Sequence, residues 1–264
     1  WDYDNWGITL TNLSEKNKCN IHFRKGVKLA DTINLVDTTG KCPIVNEDGT
    51  SYIEDIESEN SLLCIAPDAY GISYYYRGDV KNNYVKFANF YWRIIRINGD
   101  GSVRMIYDGT MIHENNEASE DRIVGKSPFN KNVDDNAYVG YMYGTPGSST
   151  YAETHANIND STIKKYIDNW YTVNIYGTIN ENYLADNIFC NDRSFSSEND
   201  GNGTGKTLTT YNYGSNYVYS LITLKCSQKN DAFTMNDSVK GNGNLKHPLA
   251  LLSTSEALLA GAYN

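Results

Sequence analysis

The sequence predicts an α+β fold that is rich in strands. Three observations lead to this expectation. Short runs of alternating apolar and polar residues fill much of the chain, and this period of two is typical of half-buried strands. Helical spacing of apolar residues recurs in only a few short segments. Five cysteines and 22 tyrosines complete a composition that suits an extracellular binding or assembly protein, with a tyrosine-rich β-protein that binds no ligand as the alternative.

Length and charge restrict the function classes. The 264 residues fit one large domain, or one domain with a smaller module. A formal net charge of -9 argues against nucleic acid or an anionic membrane as the main partner. No apolar run reaches the roughly 18 residues that a membrane span needs, so we expect no membrane insertion in this segment.

Two segments are expected to precede the main domain. Residues 1–25 contain two alternating runs around a polar turn, which predicts a hairpin at the end of an immunoglobulin-like β-module. Residues 26–73 are predicted as a short helix that ends near Gly40, followed by a disulfide-stapled connector with a turn at 46–51. An isolated hairpin does not hold a core, so it must pack against another element.

Residues 74–264 are predicted as the main α+β domain. The stretches "YYYRG", "YVKFANFYWRIIRI" and "SVRMIYDG" indicate consecutive strands, and "YVGYMYG" indicates another. Residues 90–107 are predicted to form a hairpin in which Gly99 and Gly101 supply the positive φ of the turn. The expected register pairs Ile97 with Ser102, Ile95 with Arg104, Ile94 with Met105 and Trp92 with Tyr107.

Two helices are expected in this domain. Residues 159–171 begin with a cap at Asp160 or Ser161 and place Ile163, Tyr166, Ile167 and Trp170 on one face. Near the C-terminus, "HPLALLSTSEALLAG" predicts a short strand, a cap at Ser253 or Thr254, and a helix. Glu256 stands where it can complete a capping box.

The cysteine spacing favours structural disulfides. Cys42 and Cys64 flank one polar segment, and Cys190 and Cys226 flank another. In the chain-entropy model, closing loops of this size stabilises the fold by roughly 3–4 kcal/mol each. Cys19 remains, either paired with a residue upstream of Trp1 or as a buried thiol. Reduced, buried cysteine stays the alternative for all five, and the absence of a C-x-x-C pair argues against zinc.

A calcium loop is the alternative to the turn at 98–102. An EF-hand loop that begins at Asn98 would need a glutamate twelve residues in, and that position is Gly109. The hairpin explains every residue, so we predict no metal and no cofactor, with calcium left open at 46–55 and 198–205. The four histidines His22, His113, His155 and His247 are scattered and show no metal-ligand spacing.

Other short motifs are weak. Arg77-Gly78-Asp79 matches an integrin-binding tripeptide, but a turn at Gly78 explains it. An isopeptide cross-link would need a buried lysine beside an asparagine and an acid, and Lys86 and Lys164 are the candidates. No nucleophile elbow or phosphate-binding loop is present, so no enzyme activity is predicted.

A resemblance rests on several motifs in order. They are "SYYYRGDVKNNYVKFANFYWRIIRINGDGSVRMIYDGT", "GYMYG", "STIKKYIDNWY", "FCNDRS" and "PLALLSTSEALLAGAYN". Together they resemble a family of uncharacterised bacterial surface proteins, over roughly residues 41–264. Its domain is similar, distantly, to the formylglycine-generating-enzyme and C-type-lectin-like folds. The resemblance implies a C-type-lectin-like domain after the β-sandwich fragment, on the bacterial cell surface. The reactive cysteine pair and copper of those enzymes have no counterpart, since Cys190 and Cys226 occupy structural contexts.

Two functions are expected from these observations. The first is a structural subunit of a surface filament or layer that self-associates with neighbouring copies. Its motivation is a chain that begins inside a β-module and ends before the family's closing strand, because open strand edges favour pairing. The second is a monomeric adhesin that binds a glycan or a host protein through stretches 141–151 and 191–216. There Tyr143, Tyr151, Tyr211 and Tyr213 are the candidate ligand-binding residues, and edge-of-core packing is the alternative for all four.

Overall fold

The computed structural model describes residues 8–9, 22–23, 42–48, 50–52, 62–81, 83–132, 135–193 and 222–262. Within these ranges the protein is a mixed α+β structure with antiparallel sheets and few helices, as the sequence predicts. The predicted helix in 26–40, Cys19, the loop at 194–216 and its tyrosines lie outside the described residues.

A five-stranded antiparallel sheet forms the centre of the fold. Its strands are β5 (Leu62–Pro67), β6 (Ile72–Arg77), β7 (Tyr84–Phe87), β8 (Phe90–Ile97) and β9 (Val103–Gly109). Strand β8 is central: β9 pairs with one edge, and β6 and β7 pair with the two halves of the other edge. Strand β5 pairs with β6 and so extends the sheet into the segment predicted as a connector.

The stretch "YVKFANFYWRIIRI" is two strands rather than one, which corrects the prediction. Ala88 has φ 51° and Asn89 has φ 67°. Two consecutive left-handed residues make the tight two-residue turn that suits the twist of a hairpin. The chain therefore reverses between Phe87 and Phe90, which face each other as a pair.

The β8–β9 hairpin confirms half of the predicted register. Trp92 pairs with Tyr107 and Ile94 pairs with Met105, as expected. The pairing then shifts at a bulge, so that Arg96 faces Arg104 and Ile97 faces Val103; the predicted pairs Ile95–Arg104 and Ile97–Ser102 are wrong. A bulge adds one unpaired residue to a strand, which an alternation pattern cannot reveal.

The turn of this hairpin is closed by local hydrogen bonds. Asn98 N donates to Ser102 O at 2.8 Å, and Asp100 Oδ1 accepts from Ser102 N at 2.9 Å. Gly101 has the predicted positive φ of 86°, but Gly99 does not. Gly99 is needed for a close approach instead, because a Cβ there would lie 2.4 Å from Gly71 N.

The described residues also contain four two-stranded antiparallel pairs. They are β1 (Ile8–Thr9) with β2 (His22–Phe23), β3 (Ile44–Val45) with β4 (Ser51–Tyr52), β10 (Met142–Tyr143) with β11 (Asn159–Asp160), and β12 (Phe189–Cys190) with β13 (Ala232–Phe233). The first pair lies in the predicted N-terminal hairpin. The stretch "YVGYMYG" contributes only β10, which is shorter than predicted.

Three α-helices are described: α1 (Tyr151–Thr154), α2 (Thr162–Asn174) and α3 (Thr254–Leu259). Helix α2 begins at the predicted cap, since the Ser161 side chain accepts from Lys164 N. Its buried face is Lys164, Ile167, Asp168 and Tyr171, which is shifted from the predicted face. Lys164 and Asp168, which the apolar pattern assigned to solvent, form a buried ion pair. The buried face is therefore turned away from Tyr166, which is 38% exposed.

Helix α3 has the predicted capping box. The Ser253 side chain accepts from Glu256 N, and the Glu256 side chain accepts from Ser253 N. The predicted strand before it is wrong, because residues 248–253 are described and form no strand.

Three apolar clusters hold these elements together. One joins β5 and β6 to α3 through Tyr75 and Leu259. The second packs α2 on β7 and β8 through Tyr171 and Trp92. The third joins α2 to β13 through Ile167. Helices α2 and α3 are thereby fixed to the central sheet.

Candidate interaction surface

A buried ion cluster fixes α3 to the sheet. Glu256 Oε1 lies 3.2 Å from Arg96 Nη1 and 3.5 Å from Arg104 Nε, and all three side chains are less than 10% exposed. Burial alone would raise the pKa of Glu256, but the guanidinium groups of Arg104 and Arg96 hold it below its ordinary value. At the other end of α3, Arg77 Nη1 donates to Leu258 O and Leu259 O. The cluster is structural, since every charge in it faces another group of the fold.

A second network supports the segment after β9. Asp108 lies between two arginines, with Oδ2 at 2.9 Å from Arg93 Nε and Oδ1 at 2.8 Å from Arg122 Nη2. His113, which is 1% exposed, lies 2.9 Å from both Glu117 and Asp121. These two carboxylates raise the pKa of His113 above its ordinary value. The segment 110–122 is therefore pinned to the sheet by buried charge.

Two further histidines, His155 and His247, serve packing. His155 is fully buried and stacks on the Tyr151 ring at 3.9 Å, and burial lowers its pKa to about 4. His247 stacks on the Tyr171 ring at 4.3 Å. Within the described ranges, no group of three or more His, Cys, Asp or Glu residues could hold a metal ion.

The candidate tyrosines differ in exposure. Tyr143 is buried and packs against Tyr138 at 5.0 Å, so its ring face is not open to a sugar in this conformation. Tyr151 is half-buried, and its hydroxyl donates to Arg193 O at 2.7 Å. Both contacts match the edge-of-core alternative for these two residues. Tyr211 and Tyr213 lie outside the described residues, so their part in a ligand site stays a prediction.

Both predicted disulfides are present. Cys42 pairs with Cys64, with Cα atoms 5.6 Å apart, and Cys190 pairs with Cys226, with Cα atoms 5.5 Å apart. Disulfides of this kind are typical of proteins that fold in an oxidising compartment. The first bond fixes the β3 segment to the sheet, because Cys64 is a buried residue of β5.

Two weak motifs prove to be structural. Arg77 of the Arg-Gly-Asp tripeptide is 1% exposed and caps α3, so it is not displayed to a receptor. Lys86 is exposed, whereas Lys164 is buried between Asp168 at 2.7 Å and Asp160 at 3.0 Å. Ion pairs with two aspartates, rather than an asparagine beside an acid, surround this lysine.

An exposed apolar belt runs from the last turn of helix α2 into the segment after it, and the sequence did not predict it. Its members are between 60% and 74% exposed and lie within eleven residues: Val173, Tyr176, Ile179 and Tyr183. The backbone beneath them is fixed, because the Glu181 carboxylate accepts from Tyr171 Oη at 3.3 Å and from Gly177 N at 3.0 Å. The four side chains are neighbours along the chain, and clustered exposed apolar side chains on soluble proteins typically mark interaction sites.

The sequence pattern did not mark this belt. Val173 stands three positions after Trp170 and seven after Tyr166, so helical spacing places it on the predicted apolar face. Its exposure follows from the rotation of α2, which buries Lys164, Ile167, Asp168 and Tyr171 instead.

No described helix is long and apolar enough to cross a bilayer. The comparisons with known proteins are negative: no family model, curated protein or solved structure matches the chain.

Proposed function

We propose that this chain is a non-enzymatic protein of the bacterial cell surface that self-associates as a structural subunit of a filament or layer. The observation that carries the proposal is the apolar belt of Val173, Tyr176, Ile179 and Tyr183. A surface that leaves four large apolar side chains in water gains free energy when a second surface covers them. The motif resemblance supports the further proposals that residues 74–264 form a C-type-lectin-like domain and that the protein is extracellular.

The fixed backbone of the belt favours this function. Because Glu181 already holds the turn after α2, association does not need to order that backbone. Two disulfides and the buried ion clusters give a scaffold that keeps its shape when the belt is covered.

Sedimentation velocity over a concentration series of the disulfide-intact protein tests the proposal. The informative variant is Ile179→Ser, and the matched control is Ile44→Ser on β3, because the two isoleucines are 69% and 60% exposed. Truncating a central interface residue typically costs about 1–2 kcal/mol, so Ile179→Ser should weaken association about 5- to 30-fold. Ile44→Ser should associate like the wild type. A wild-type protein that stays monomeric at all concentrations would refute assembly.

An adhesin remains the second candidate, and one observation favours it. The exposed rings of Tyr176 and Tyr183 belong to the same short stretch of chain as Asn180 and Asn182. Aromatic rings next to amides provide both an apolar face and hydrogen bonds, which a sugar ring can use. A glycan-array screen of a monomeric wild type would support this function if binding is lost in Tyr183→Ser.

A further inference from the structure

The charge of the surface changes sign at one residue after β9. Residues 110–121 contain four acids and no lysine or arginine, whereas residues 122–131 contain three basic residues and no acid. The acids are Glu114, Glu117, Glu120 and Asp121, and the basic residues are Arg122, Lys126 and Lys131. Glu117 and Asp121 pair with His113, and Arg122 pairs with Asp108, within the fold. The exposed charges that remain are Glu114 and Glu120 in the first segment and Lys126 and Lys131 in the second, so two adjoining segments present opposite charge.

Each segment also exposes apolar side chains. In the acidic segment, Met111 is 59% exposed and Ile112 is 51% exposed. In the basic segment, Phe129 is 43% exposed and Ile123 is 46% exposed. An apolar centre with a charged rim is the composition of a protein interface.

The acidic segment is held in place by buried groups. Thr110 N donates to Asp121 Oδ2 at 2.9 Å, which closes the segment on itself. The carbonyl of His113 accepts from Arg93 Nη2 at 2.6 Å, which ties the middle of the segment to β8. Met111 and Ile112 are thus presented by a fixed backbone, so little ordering entropy is lost when a partner covers them.

The basic segment is held in place as well. Ile163 N donates to Phe129 O at 3.1 Å, and the Asn130 amide donates to Tyr138 O at 2.9 Å. Tyr166 Oη donates to Val124 O at 3.3 Å. The segment is therefore fixed along helix α2, with Lys126 and Lys131 exposed on either side of Phe129.

We propose that these two segments form one self-complementary surface, through which two copies of the chain pair about a two-fold axis. The acidic segment of each copy lies on the basic segment of the other, and Met111 and Ile112 pack against Phe129 of the second copy. A two-fold interface requires one patch that complements itself, and adjoining segments of opposite charge meet this requirement. The inference rests on the proposed self-association and names a second contact between copies, separate from the belt.

Charge-swapped variants test the pairing. The first variant, Lys126→Glu with Lys131→Glu, reverses the exposed charges of the basic segment; the second, Glu114→Lys with Glu120→Lys, reverses the exposed charges of the acidic segment. These four side chains are exposed, and Glu117 and Asp121 are left unchanged because they hold His113. The matched control for the first variant, Lys229→Glu with Lys240→Glu, makes the same change in net charge at exposed positions elsewhere.

Sedimentation velocity at about 0.1 M salt, with circular dichroism to verify folding, gives the readout. Each swapped variant alone should dimerise at least about tenfold more weakly than the wild type, and an equimolar mixture of the two should recover the dimer. The control variant should dimerise like the wild type. Raising the salt to about 1 M should weaken the wild-type dimer, since the Debye length falls from ~10 to ~3 Å.

Three outcomes would overturn the inference. The swapped variants could dimerise like the wild type, their mixture could stay monomeric, or the control could weaken the dimer as much as they do. If the wild type still assembles in any of these cases, the proposed function stands and only this contact fails. A wild type that is monomeric throughout would overturn both.

Discussion

Replacement of Glu256 by glutamine tests the buried ion cluster that fixes α3. Glutamine keeps the size of the side chain and can complete the capping box with Ser253. It removes the negative charge beside Arg96 and Arg104, whose side chains are 6% exposed. Removing one partner of a buried ion pair typically costs about 3–5 kcal/mol, because the remaining charge stays buried.

The geometry places Glu256→Gln at the lower end of this range. The two N–O distances, 3.2 and 3.5 Å, are longer than those of an ideal charge-assisted hydrogen bond. We therefore expect a loss of about 3 kcal/mol in the free energy of unfolding. At roughly 2–4 °C per kcal/mol for a domain of this size, the Tm should fall by about 6–12 °C.

Urea unfolding followed by circular dichroism, with both disulfides intact, measures this loss. The matched control is Ser253→Ala, which removes the cap but leaves the ion pairs and should cost about 1 kcal/mol. If Glu256→Gln costs no more than Ser253→Ala, the ion pairs do not hold α3 and the reasoning is refuted.

Two further predictions concern His113, in the segment after β9, and Asn89, in the turn between β7 and β8. Because Glu117 and Asp121 raise the pKa of His113, its contribution to stability is complete below about pH 6.5 and is lost as the pH rises through the raised value. The difference in stability between the wild type and His113→Gln should therefore shrink above that pH, and a difference that stays constant to pH 9 would contradict it. Asn89→Gly should stabilise the fold by up to about 1 kcal/mol, since the left-handed conformation of Asn89 costs an L-residue roughly 1–2 kcal/mol, less for asparagine, and glycine adopts it freely; a lower Tm in a thermal scan would contradict it.

Local patterns predicted the local elements of this fold. The cap at Ser161, the capping box of Ser253 and Glu256, and the central pairs of the β8–β9 hairpin depend on residues within about fifteen positions of each other. The two cysteine pairs were also predictable, because each pair brackets a polar segment. Short-range spacing carries this information, because capping and pairing act between near neighbours.

The long-range ion pairs could not be predicted from the sequence. Glu256 meets Arg96 and Arg104 across more than 150 positions, and spacing cannot reveal such a contact. A hint existed, since arginines within otherwise apolar strands require buried acids to pair with them. The bulge after Ile94 brings both arginines to the face that α3 covers, and it also caused the error in the predicted register.

The exposure of the candidate surface was also not predictable from the sequence, and the reason differs from that for the charge pairs. Tyr143 and Tyr176 occur in similar tyrosine-rich sequence, yet one is buried and the other is 60% exposed. Exposure is decided by which neighbouring element covers a side chain, and composition contains no such information. The predicted tyrosine site and the observed belt therefore differ, although exposed tyrosines contribute to the belt.

Self-association is the central claim, and sedimentation velocity of the disulfide-intact wild type tests it most directly. We predict that the weight-average sedimentation coefficient rises with concentration, and that Ile179→Ser shifts this rise to higher concentration whereas Ile44→Ser does not. A single species of 29.7 kDa at every concentration would contradict the claim.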